Sequence, residues 1–327
     1  IVVRWQKANP EKTIDFKTLK NLMQDSIYGV ELNKNSIKVA TFSLYLAMLD
    51  FLQPKDLWHQ GDEKFPYLIC DKEDNSLTSQ GNNLFRMDAI KNSEDVGRNY
   101  DVIVGNPPYG KKAPPHIKQY CKEKGFSQEF VIPFIHQSTI LAPNGKIALL
   151  APTKLLTNTQ KPAQHFRKWL FNENYVEKIY NLSILRKTPK SFGGQLFSSA
   201  VAPSTIYFFQ TKTPQTISKT IEYWAPKTYV KNHLAEGVMI DSSDIKYLPR
   251  YECHKKNTKI WKIAQWGSLQ DFRLLEKLTS SRMLLKQFTK EHKIKHGVGF
   301  QLLSEAKHPI KQDDKLCKLP YLKASSI

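Results

Sequence analysis

The sequence predicts an α/β fold with a doubly wound sheet, followed by a partial second module. Three observations carry that expectation. Short all-apolar runs such as "YDVIVG" (100–105) and "IALLAP" (147–152) have the composition of strands buried on both faces. They alternate with helix-length amphipathic segments, the order that builds βαβ units. The alternation stops near residue 213, so residues 1–213 are expected to form one domain and 214–327 a linker and the start of another.

The elements follow in order. "IVVRWQKAN" (1–9) reads as a helix already under way at Ile1, and the chain is expected to be a piece of a longer one. "SIYGVELN" (26–33) is a short strand ending at the acidic Glu31. In 33–52, Ile37, Thr41, Leu44 and Met48 share one helical side, reinforced by Ala40 and Ala47, and Asn33 or Asn35 can cap the start. Residues 53–83 are polar and turn-rich and read as a loop or insertion. "NLFRMDA" (83–89) is a weaker strand with Asp88 at its end. Residues 127–152 read as helix, Pro-Asn-Gly turn and strand; 159–174 is an amphipathic helix; 175–182 and 204–212 are strands. Mixed signals follow, "WGSLQDFRLLEKLTS" (266–280) among them. No internal repeat or low-complexity tract interrupts the chain.

Composition narrows the function classes. The 327 residues suffice for about two domains, and 40% hydrophobic residues exclude a disordered chain. The 49 Lys and Arg outnumber 30 Asp and Glu, a net charge of +19. That balance points to a polyanionic partner, nucleic acid first, with a merely solvated basic surface as the plain alternative. Cys70, Cys121, Cys253 and Cys317 form no CxxC pair, and Cys253 beside His254 lacks two further ligands, so no metal site is expected. Dispersed thiols suit a reducing cytoplasm. The longest apolar stretch, "VATFSLYLAMLDFL" (39–52), contains Asp50 and is too short to span a bilayer.

The stretch "DVIVGNPPYG" (101–110) carries the chemistry. Ligands of open α/β sheets sit beyond the carboxyl ends of the strands, and this strand delivers Asn106, Pro107, Pro108 and Tyr109 to that edge. A proline holds the residue before it extended, so Asn106 and Pro107 are both fixed. Prolines have no N–H, so their carbonyls carry no adjacent competing donor. Asn106 adds a side-chain acceptor, and Tyr109 a flat ring for a planar ligand. Such a lip suits an aromatic amine, whose lone pair is delocalised into its ring. Two acceptors gripping its N–H bonds localise that pair for in-line attack on a methyl carbon. Holding reactants in that geometry can be worth roughly 7–11 kcal/mol. The plain alternative is a loop that merely ends a strand.

"GNPPYG" after an apolar strand resembles the catalytic motif of amino-group methyltransferases that use S-adenosylmethionine. "IYGVELNKNSIKVATFSLYLAMLD" (27–50) resembles a cofactor segment of N6-adenine DNA methyltransferases of the large restriction–modification and phage-exclusion type. "LAPNGKIALLAPTKLL" (141–156) resembles their later strand pair, and "GGQLFSSAVAPSTIYFF" (193–209) their closing hairpin. The resemblance runs through residues 15–210 in order. It implies a Rossmann-like methyltransferase domain that binds S-adenosylmethionine and acts on a flipped adenine in double-stranded DNA. It places Glu31 on the cofactor ribose, as a strand-end carboxylate able to accept two bonds from a diol would be. It places Asp88 on the cofactor's adenine amine, and Asn106, Pro107, Pro108 and Tyr109 in the target-base pocket. The chain departs from the family in one respect: the acidic residue with a glycine-rich turn that cradles the methionine end does not occur here. "IVVRWQKANPEKTIDFKTLK" (1–20) resembles the helix that follows that motif, so the motif is expected upstream, and this chain alone is expected to bind the cofactor poorly. "KIKHGVGFQLL" (293–303) and "KLPYLKASSI" (318–327) resemble the opening of a target-recognition domain.

Flipping a base costs a few kcal/mol, and one stacking ring returns roughly 1–3 kcal/mol, so phosphate contacts must help. The candidates are Lys111 and Lys112, directly after the motif, then Lys255, Lys256, Lys259 and Lys262, and later Lys290, Lys293, Lys295 and His296. Two other readings stand beside this one. Methyltransferases acting on protein glutamine or on RNA meet the same amine problem. A catalytically inactive DNA-binding or assembly module would also account for the missing turn.

Overall fold

The computed structural model describes residues 1–55, 64–97, 99–110, 113–187, 203–231, 236–280, 283 and 285–294. Its first compact unit runs from Ile1 to Arg273 and its second from Leu274 to Ile327.

The first unit begins with α1 (Val2–Ala8), α2 (Phe16–Ser26), β1 (Gly29–Glu31) and α3 (Lys34–Leu49). Pro10 separates the first two helices, because the residue before a proline leaves the helical region. Asp15 caps α2 by accepting from the Thr18 amide at 2.8 Å. Asn33, the first of the two expected caps, accepts from Asn35 at 2.8 Å and Ser36 at 3.1 Å. β2 (Ile69–Cys70) and β3 (Leu84–Arg86) complete a parallel sheet of order β1–β3–β2. β2 lies inside the stretch expected to be a loop; it is too short to show a period. Phe16, Leu19 and Met23 of α2, Ile37 and Met48 of α3, and Leu68 and Leu84 form one core.

A second, six-stranded sheet follows, of order β11–β8–β6–β7–β5–β4. Its strands are β4 (Val102–Gly105), β5 (Lys146–Pro152), β6 (Tyr175–Asn181), β7 (Ser204–Gln210), β8 (Thr220–Trp224) and β11 (Ile245–Pro249). Between β8 and β11 lies the antiparallel pair β9 (Thr228–Lys231) and β10 (Glu236–Met239). β4 and β5 are parallel, as are β6 and β8; the remaining contacts of the six-stranded sheet are antiparallel. The Pro-Asn-Gly turn forms as expected. Gly145 is required there, because a Cβ would lie 2.1 Å from the Tyr100 carbonyl.

One face of this sheet is closed by α5 (Ile132–Leu141), α6 (Lys161–Asn172) and α7 (Ile260–Trp266). Ile147 and Leu149, Tyr207 and Phe209, and Ile221 and Tyr223 alternate into that core against Ile135, Phe166, Leu170 and Trp261. α4 (Pro115–Glu123) joins it through Cys121, whose thiol burial pushes up to about 11. The other face is half-exposed. Tyr180 there meets Phe208 at 4.8 Å and Trp224 at 4.7 Å between ring centres.

Two expectations need correcting. The chain does not leave the first unit at residue 213: β8 and β11 extend the same sheet, and the unit runs to Arg273. Arg250 secures this extension by donating to the carbonyls of Val176, Ser218 and Thr220 at 2.8, 3.1 and 3.2 Å. β4 is also not a strand covered on both faces. Val102 is 63% and Val104 74% exposed on the face opposite Ile103, which turns to the core, and among the described residues β4 has β5 as its single neighbour. Among the described residues β1 likewise pairs with β3 alone. On α3, Val39, Phe42 and Leu46 are exposed opposite the predicted buried side. Tyr28 before β1 and Tyr100 before β4 touch with ring centres 5.6 Å apart, so the two open strands start side by side.

In the described part of the second unit, Phe288 of α8 (Leu285–Glu291) stacks on His292, just past the helix end, with ring centres 4.1 Å apart.

The core gives a pH prediction. Burial lowers the pKa of His136 to about 4, and its Nδ1 lies 2.7 Å from the Tyr120 hydroxyl. The unfolded chain therefore binds this proton first as pH falls, so stability is full above about 6.5 and declines towards 4. The loss assignable to His136 is on the order of 2 kcal/mol. Urea midpoints measured across that range should fall less steeply for His136→Gln than for the unaltered chain; equal slopes would contradict it.

Candidate active site

β4 ends at Gly105, where a Cβ would lie 3.1 Å from the Leu149 side chain, so the strand presses against β5 up to its last residue. Asn106 is exposed, Pro107 buried and Pro108 exposed, an arrangement that anchors the turn through one proline and leaves the amide in solvent. Tyr109 is half-buried against the main core. Burial pushes its phenol up to about 12, and a hydrogen bond with Ser204 pulls weakly the other way. The ring is therefore a neutral, held platform rather than a swinging one. Gly110 follows at φ 142°, which L side chains rarely adopt, and lets the chain turn away from the tyrosine.

Beneath Tyr109 lies a polar layer that sequence reasoning missed. Thr153, directly after β5, shares a 2.7 Å hydrogen bond with Thr205 of β7 and a 3.3 Å contact with Ser183. Asn181, at the end of β6, donates to the Tyr223 hydroxyl at 2.7 Å and accepts from the Ser183 amide at 3.0 Å. Tyr207 is completely buried below, where its ionisation is strongly opposed, with Arg167 nearby. Arg167 donates to the carbonyls of Leu155 at 3.2 Å and Asn158 at 2.6 Å. The only sequence signal was a row of small hydroxyl residues at strand ends, which is too common to single out.

The acidic residues sit on the other sheet. Glu31 ends β1 and is exposed; its Oε1 accepts from the Asn33 amide at 2.8 Å. Register places Glu31 opposite Arg86, so Glu31 and Asp88 share one carboxyl edge. Asp88 is half-buried. Its Oδ1 accepts from the amides of Ile90 at 3.0 Å and Lys91 at 3.2 Å, and its Oδ2 lies 3.0 Å from Nε2 of His116 on α4. His116 was not foreseen, since nothing in its local sequence distinguishes it.

The basic candidates divide. Lys111, Lys112, Lys295 and His296 lie outside the described residues. Lys255 pairs with Glu252 and sits 5.0 Å over the Tyr251 ring, which engages its charge locally. Lys256, Lys259 and Lys262 are exposed near the exposed aromatics Tyr251 and Trp266, and Lys290 and Lys293 are exposed in the second unit. Among the described residues no group of three metal-ligating side chains gathers, and no helix is long and apolar enough to cross a membrane.

Comparison with known proteins adds a match to a family over part of the chain. Residues 25–186 match the family described as Eco57I restriction-modification methylase. A relative in Methanocaldococcus jannaschii, named as a type II restriction enzyme and methyltransferase, is 26% identical over 190 residues, which are 56% of this chain and 15% of that protein. The chain thus spans a small part of that relative's length. Among solved structures it is similar to the M protein of the type I restriction enzyme EcoKI, with 14% identity, TM-score 0.43, and 68% of this chain against 39% of that one. A type I modification subunit from Vibrio vulnificus YJ016 gives 14% identity, TM-score 0.44, and 84% against 45%.

The polar layer makes a stability prediction. Thr205→Val leaves the buried Thr153 hydroxyl short of its partner and should cost about 1–3 kcal/mol in chemical denaturation. An unchanged midpoint would show that the layer does not hold the ends of β5 and β7 together.

Proposed function

We propose that this chain, whose residues 25–186 match a restriction–modification methylase family, is the catalytic part of a DNA adenine N6-methyltransferase using S-adenosylmethionine. The observation that supports it most is the exposed Asn106 between the end of β4 and the buried Pro107, with the held ring of Tyr109 beside them. Asn106 Oδ1 and the Pro107 carbonyl accept the two N–H bonds of the target amine, and Tyr109 stacks on the base. The neutral phenol stays neutral through the working range, so it places no charge against the base. S-adenosylmethionine, when bound, supplies the electrophilic methyl group. Glu31 fits its ribose diol and Asp88 its adenine amine, as acceptors on one sheet edge.

The methionine end has no partner of the expected kind in this sequence. Among the described residues β1 and β4 each keep an open edge, which fits one further parallel strand carrying the acidic, glycine-rich turn. The net charge of +19 suits a DNA partner.

Two outcomes are expected. In a polypeptide that includes the cofactor turn, Asn106→Ala or Tyr109→Ala should lower transfer of labelled methyl to DNA by about a hundredfold or more with the fold intact. Label appearing in protein or RNA instead of N6-methyladenine would replace this reading by one of its rivals. The 327-residue chain alone should bind S-adenosylmethionine about a hundredfold more weakly than that polypeptide in calorimetry; equal affinity would remove the need for the additional strand.

A further inference from the structure

Asp88 and His116 lie on opposite sides of the open seam between the two sheets. Asp88 follows β3 and is fixed by its own turn, with both amide bonds on Oδ1. His116 lies in the first turn of α4, whose Ile117 and Cys121 are buried at 1% and 0% exposure. Neither partner can drift without disturbing a core or a cap. The 3.0 Å contact between Asp88 Oδ2 and His116 Nε2 therefore ties the carboxyl end of β3 to the helix that follows the acceptor lip.

The contact also changes what Asp88 can accept. A carboxylate offers about four lone-pair directions. Among the described residues two amides occupy Oδ1, and the His116 ring lies 3.0 Å from Oδ2 and narrows the approach to it, which leaves acceptor capacity on one side of Oδ2. Both side chains remain about a quarter exposed, so that side is accessible to a ligand.

We propose that His116 is a positioning residue that leaves Asp88 a single, aimed acceptor for an exocyclic amine and fixes the spacing between that acceptor and the Asn106–Tyr109 lip. This rests on the reading of Asp88 as the cofactor-adenine contact. A ligand with an amino group at the adenine 6-position donates on that open side. One with a carbonyl oxygen there meets a carboxylate oxygen and is rejected.

The test uses the polypeptide that includes the cofactor turn, with S-adenosylhomocysteine and S-inosylhomocysteine as calorimetric probes. His116→Ala should weaken the adenosyl compound about tenfold and leave the inosyl compound unchanged, so that discrimination collapses. His116→Gln, whose amide can donate to Asp88, should restore most of it. Equal weakening of both compounds would mean a purely structural role and overturn the proposal, as would no change in either. Asp88→Asn separates the two layers of inference. If it leaves adenosyl affinity intact, the reading of Asp88 fails; if it weakens that affinity while His116→Ala does not, only the role of His116 fails.

Discussion

The seam between β1 and β4 governs the first unit. Two strands that begin side by side, with Tyr28 touching Tyr100, each keep one hydrogen-bonding edge without a strand among the described residues. Unpaired edges present rows of N–H and C=O groups and invite another strand. Apolar side chains are also uncovered on the elements that flank the seam: Val102 and Val104 on β4, and Val39, Phe42 and Leu46 on α3, which follows β1. A helix apolar on two sides belongs in an interior. Each rim of the seam also carries one half of the candidate site. Glu31 and Asp88 stand at the end of one sheet and Asn106 to Tyr109 at the end of the other.

The two rims hold their residues in different ways. The lip depends on backbone: a proline pair stops β4, Pro107 is buried, and Tyr109 leans on a core that reaches through Ser204 to the polar layer at the ends of β5, β6 and β7. The acidic side depends on turns, with Glu31 and Asp88 each accepting from amides just downstream. The Asp88–His116 pair crosses between the rims, and it is oriented by α4 rather than by a strand.

Much of this was legible in the sequence where the period was long or the chemistry rare. The apolar face of α3, its Asn33 cap, the Pro-Asn-Gly turn and the strand ending in Asn-Pro-Pro-Tyr all form where the residues indicate. β2, at two residues, could not show a period. β8 and β11 were missed because no helix separates strands in 213–250, so the alternation that marks a parallel sheet vanishes although Ile221, Tyr223 and Leu248 still enter the core. Arg250 and His116 act through partners far along the chain, and single-residue patterns hold no trace of such pairs. Charge was legible only in sum: Lys255 counts towards the basic total, yet its ammonium is engaged by Glu252.

The most direct measurement is hydrogen exchange, residue by residue, along Val102–Gly105 in the 327-residue chain. Amides directed at β5 should be protected and those directed at the seam should exchange at close to unprotected rates, with full protection appearing only in a polypeptide that supplies the additional strand. Slow exchange at every amide of β4 in this chain would mean that the seam is already closed, and would contradict the account.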